Sequence, residues 1–161
     1  MSQLSKLLVI TILFCATKVN AQLSLGIDGF DGILGYQYQN HKTVELGIAY
    51  GTRGDELGSL FYRNVHLCSE ILLNDKGKNI YGLKAGLAYT YILLNGAAQF
   101  IYFSNFDNSS FVFRPEIGLT YIGLVDINIG RNIVMNSNDI LNLNSTVFIL
   151  RYTYGRSSRH M

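Results

Sequence analysis

The sequence predicts an all-β protein: an antiparallel, up-and-down transmembrane β-barrel of eight strands. The first observation is a run from Phe111 to Ile133 that alternates between two faces almost without a break. Phe111, Phe113, Ile117, Leu119 and Tyr121 share one parity; Arg114, Glu116, Gly118 and Thr120 share the other. Past Ile122-Gly123, Val125, Ile127, Ile129 and Ile133 stand against Asp126, Asn128, Gly130 and Asn132. Successive strand side chains point to opposite faces, so each strand has one apolar wall and one wet wall. The second observation is composition. Sixteen Gly, eleven Tyr, nine Phe, one Pro and no Trp suit pleated surfaces with bends and crowded interiors. The third is that no segment after Ala21 approaches the ~20 apolar residues of a spanning helix, so any membrane insertion would be by strands.

The chain opens like an export signal. Lys6 supplies the positive region, Leu7 to Ala16 is a short apolar stretch broken only by Thr11, and Val19-Asn20-Ala21 reads as a small-residue cleavage site. Phe14 stands before Cys15, where a lipoprotein signal has a small residue. Residues 1–21 are thus expected to be a secretory signal peptide and 22–161 one barrel domain. Removing Lys6 and Lys18 with the signal lowers the 13 basic residues to 11, equal to the 11 acidic ones. That balance gives no reason to expect nucleic acid as a partner. Cys68 is left alone, so no disulfide staples the domain.

Eight strand-like segments follow. The first, Leu23 to Gln39, is interrupted by Gly26, Gly29, Gly32 and Gly35, and its DGFDG stretch also reads as a turn between two shorter strands. Thr43 to Gly51 sets Val44, Leu46, Ile48 and Tyr50 against Glu45, Gly47 and Ala49. Leu60 to Leu73 sets Val65, Leu67, Ile71 and Leu73 against Asn64, His66, Cys68 and Glu70. Ile80 to Leu93 has the fullest aromatic wall, with Tyr81, Tyr89 and Tyr91 opposite Gly82, Lys84 and Gly86. Ala97 to Phe103 is short. The alternating run gives Phe111–Ile122 and Leu124–Val134, and Leu143 to Tyr154 closes the barrel with Arg151 and Thr153 inward. Asn95-Gly96 and Ile122-Gly123 are expected as tight turns. Polar connections (NHK, NDKGKN, NFDNSS, NSNDILN) fall at the odd joints, as expected where odd joints face outside. TRGDELGS, at the second-to-third joint, is long for a turn on the other side.

With Arg114-Pro115-Glu116-Ile117-Gly118 followed by Val125-Asp126-Ile127-Asn128 and Gly130, the chain resembles the small eight-stranded outer-membrane barrels of the OmpA/OmpX type. It looks like barrel proteins of unknown function found in Bacteroidota. The resemblance implies a bacterial outer-membrane location, outer-membrane lipid and the barrel assembly machinery as partners, and a monomer. It also implies a last strand ending on an aromatic. Tyr154 would fill that place, with GRSSRHM overhanging it.

The inward parity collects Glu45, Glu70, Glu116 and Asp126 with Lys84, Arg114 and Arg151. Eight strands leave an interior that side chains fill, so these charges are expected to pair as a self-neutralising plug rather than line a polar path. His66, Cys68 and Glu70 share that face at a spacing a metal could use, but the triplet is local and no metal or cofactor is expected. Asp28 and Asp31 look faintly like a calcium loop, yet Gln39 stands where its Glu belongs. Asn108 and Asn144 match the glycosylation pattern, without weight in a bacterial envelope. His41 with Asp107, Ser109, Ser110 and Asp139 could assemble a hydrolase-like set at the outer rim, but no GxSxG, HExxH or CxxC accompanies them. No enzyme activity is expected.

The expected role is structural, anchoring or surface interaction. One alternative is a soluble exported, lipocalin-like barrel binding an apolar ligand, whose inward wall would be the greasy one. The other is an outer-membrane lipid-modifying enzyme, which would need His41.

Overall fold

The computed structural model describes residues 26–39, 41–54, 61–73, 80–121, 124–136 and 146–155. Among these, every regular element is a strand: β1 (Gly26–Tyr38), β2 (Lys42–Gly54), β3 (Phe61–Leu73), β4 (Ile80–Tyr91), β5 (Leu94–Ser104), β6 (Ser109–Tyr121), β7 (Val125–Arg131), β8 (Ile133–Val134) and β9 (Thr146–Gly155). The proposed signal, residues 1–21, and the terminal overhang from residue 156 lie outside the described residues, as do Ile122-Gly123, Asp139 and Asn144.

β7 and β8 are one strand. Glu116 faces Gly130 on one side of Asn132 and Phe113 faces Ile133 on the other, with no residue gained or lost between. Counted so, eight antiparallel strands pair in sequence, and β9 closes the sheet onto β1. The DGFDG stretch is continuous strand, paired from Gly26 to Tyr38 with β2. One long strand there preserves the count of eight.

The stagger follows from the pairing. Starting at Ile27, successive partners run through Arg53, Tyr62, Thr90, Asn95, Gly118, Asn128 and Ile149 and return to β1 at Gln37. The path closes ten residues further along the strand. With a rise of about 3.3 Å and a strand spacing of about 4.8 Å, that tilts the strands about 40° and sets a backbone radius of about 8 Å. Such a barrel is filled by its own side chains.

The tight β4–β5 turn is Ile92-Leu93, flanked by the pair Tyr91 and Leu94, and not Asn95-Gly96 as the dipeptide suggested. Asn95 is drawn into β5 because its parity is inward, opposite Thr90, where its side chain is buried. Ile92 therefore carries the turn with φ 58°, a left-handed conformation that costs a β-branched residue energy. This turn marks one end of the barrel, here called the lower end, where β1 begins and β9 finishes.

The two walls differ sharply. The apolar parity faces out and the charged parity faces in. At mid-height the outward wall is aliphatic, with Leu34, Leu46, Leu67, Ile117, Ile127 and Leu150 all exposed. Below this band lies a ring of aromatics that includes Phe30, Tyr50, Tyr89, Tyr121, Tyr152 and Tyr154. Above it lies a second ring with Tyr36, Tyr38, Tyr81, Phe100, Tyr102 and Phe111. Neighbouring rings touch, as Phe30 does Tyr50 at 4.9 Å and Phe100 does Phe113 at 5.1 Å between centroids. From ring to ring the apolar wall spans roughly 20–25 Å along the axis. Among the described side chains, the only charges on this wall are Lys42, Arg63 and Arg131, all outside the aliphatic band.

Candidate functional site

The lumen is where the chain concentrates its chemistry. β2 contributes Glu45, β3 Glu70, β4 Lys84, β6 Arg114 and Glu116, and β9 Arg151; all are buried. Glu45 and Glu70 are direct cross-strand partners, an arrangement that two like charges disfavour. Lys84 resolves it, placing its Nζ 2.7 Å from Glu45 Oε2 and 2.7 Å from Glu70 Oε1. Arg114 donates through Nη1 to Glu70 at 3.3 Å and to Gln37 Oε1 at 2.7 Å. Arg151 lies 3.3 Å from Glu45 and 3.2 Å from Glu116, joining the last strand to the second and sixth.

Neutral groups knit these charges together. Gln37 donates to both Glu45 and Glu70, at 2.9 and 2.6 Å. Asn132 accepts from Arg114 Nε at 2.7 Å and donates to Gln39 at 2.9 Å. Glycine makes the room: a Cβ on Gly35 would sit 2.9 Å from the Glu45 carboxylate. Among the described residues, six of the seven charged residues expected in the lumen are joined by ion pairs. The seventh, Asp126, is buried inward opposite Arg151 but forms none of them.

Above this layer the lumen is closed by an apolar lid of Leu72, Ile80, Ile101, Phe103 and Val112, with Val134 against it. Below it the interior turns to small and polar groups: Ala49, Ala88, Asn95, Thr90, Thr120 and Thr153. Alternation of apolar and polar residues does not mark the lid. Its trace is there in Phe100 to Phe103 and Phe111 to Phe113, where apolar residues fill both parities near the upper strand ends.

The remaining candidates scatter. Glu70 belongs to the charge layer, Cys68 packs with Ile33 and Ala49, and His66 Nδ1 lies 3.0 Å from Asn64 Oδ1. No group of three His, Cys, Asp or Glu among the described residues is placed to hold a metal. Asp31 accepts a hydrogen bond from the Tyr62 hydroxyl at 2.7 Å inside the barrel, so it belongs to a strand pair and not to a calcium loop. Ser109 and Ser110 are strand residues of β6 rather than loop residues, and Ser110 is fully buried opposite Phe103 of the lid. His41 precedes β2 and Asp107 lies in the β5–β6 connection.

Comparison of the chain with protein-family models, curated proteins and solved structures finds no match. The geometry alone defines the class: a closed eight-stranded antiparallel barrel with an ionic interior and an apolar exterior.

Proposed function

We propose that this protein is a small integral outer-membrane barrel of the OmpA/OmpX type, exported by a cleaved signal. Its role is structural, anchoring or surface interaction, with a lumen closed by its own paired charges. The observation that supports this most is the outward wall. An aliphatic band between two aromatic rings, roughly 20–25 Å tall, matches the hydrocarbon thickness spanned by outer-membrane barrels and the girdles at their interfaces. A water-facing surface is roughly a quarter to a third charged, whereas the described outward wall carries three cations beyond its aliphatic band.

The lumen supports a plug. Lys84 and its two carboxylates, Arg114 and Arg151 fill the section that a passing solute would need, and the apolar lid closes the upper end. A carrier of apolar ligands needs the reverse: a greasy interior and a polar exterior.

Cell fractionation, followed by an unheated and a boiled gel of the detergent extract, tests the proposal. A membrane-bound protein whose band shifts on heating is the expected result. A protein found soluble in the periplasm or medium would overturn it.

A further inference from the structure

Among the described residues, Glu45, Glu70 and Glu116 are ion-paired with Lys84, Arg114 and Arg151, and Asp126 lies buried outside these pairs. A buried carboxylate outside an ion pair is costly in a low-dielectric interior. Asp126 is 92% buried at 8% exposure, and its Oδ1 has no hydrogen-bond partner.

Its neighbours share one property. Thr120 is its cross-strand partner; Asn95 and Asn128 flank Gly118 from either side. Asn128 leans across Gly118, occupying the place a Cβ there would need. Asn95 Oδ1, Asn128 Oδ1, Thr120 Oγ1 and the second oxygen of Glu116 are also buried and without partners. Every one is an oxygen. The unpartnered side-chain nitrogens lie on other residues: Gln39 Nε2, Gln99 Nε2, Arg114 Nη2 and, level with Ala49, His66 Nε2. A patch of oxygens around one spare negative charge, without sulfur and with few carboxylates, favours a hard cation held by neutral ligands.

We propose that Asp126, Asn95, Asn128 and Thr120 form a binding site for a small monovalent cation of the sodium type, which neutralises Asp126. Arg151, opposite Asp126, directs its guanidinium to Glu45 and Glu116. The site rests on the burial of Asp126 and the unpartnered oxygens around it and not on the membrane reading.

The test is thermal unfolding of the folded protein in sodium chloride against choline chloride at equal ionic strength. A ligand that binds only the folded state raises the midpoint as its concentration passes Kd. The wild-type midpoint should rise by a few degrees in sodium over choline. Asp126→Asn should remove that increment while raising the midpoint in choline, since it removes the spare charge. Thr120→Val, which keeps the carboxylate, should reduce the increment, and the heat-dependent gel shift establishes that each variant is folded. Equal wild-type midpoints in the two salts would overturn the proposal. So would an undiminished sodium increment in Asp126→Asn.

Discussion

Along β2, Glu45 is fully buried between Lys84 and Arg151, while the next residue, Leu46, is 57% exposed on the outer wall. On β6 the same step separates buried Arg114 and Glu116 from exposed Ile117. One backbone thus carries a charged wall and an apolar wall about one side chain apart. The inner wall is cohesive: its charges are held by named partners, and removing one strands another. The described aliphatic side chains of the outer wall have no such partners. The wall's contacts are aromatic neighbours within the rings, and its stability depends on what surrounds it. The contrast teaches that a substitution's cost should follow the face it lies on and the solvent that face meets.

The largest effect is expected inside. Lys84→Met would leave Glu45 and Glu70 facing each other in the lumen and cost about 3–5 kcal/mol. Denaturant unfolding from lipid or detergent would measure it, and adding Glu45→Gln with Glu70→Gln should recover most of the loss. Next comes the outer wall. Ile127→Arg, at mid-band, should cost about 2–4 kcal/mol in a bilayer, and Ile133→Arg, near the upper ring, about 0–1 kcal/mol. Equal costs at both heights would erase the distinction between band and rim. A smaller effect is expected where glycine makes room. Gly35→Leu would crowd the Glu45 carboxylate and cost about 1–3 kcal/mol by overpacking, read from the same unfolding curves. The smallest change has the opposite sign. Ile92→Gly should relieve the φ 58° turn and gain about 1 kcal/mol.

Much of this was legible in the sequence because a period of two is insensitive to strand boundaries. Shifting the ends by one and three residues, as at Lys42–Gly54 against the expected Thr43–Gly51, leaves every side chain on its face. The same parity that placed Glu45, Lys84 and Arg151 inward also places Gln37, Gln99 and Asn132 there. Turn chemistry was the weaker guide. Asn95-Gly96 has the local preference for a hairpin, but moving the turn there would break the pairs from Thr90–Asn95 to Tyr81–Ser104. Sheet pairing outweighs that preference and leaves Ile92 in the strained position. Three-dimensional height was not legible. Which inward residues stack into the lid, the ionic layer and the oxygen patch depends on the ten-residue stagger, which emerges only when the last strand meets the first.

The most direct test of the outer wall uses the absence of tryptophan from the chain. A single tryptophan would replace Leu150, outward at mid-band, or Val147, buried inward on the same strand. Each variant would be reconstituted into bilayers whose acyl chains carry a bromine quencher near the midplane. The account predicts strong quenching and blue-shifted emission at position 150, with weak quenching at 147. Unquenched emission at 150, at the wavelength of a water-exposed indole, would contradict it.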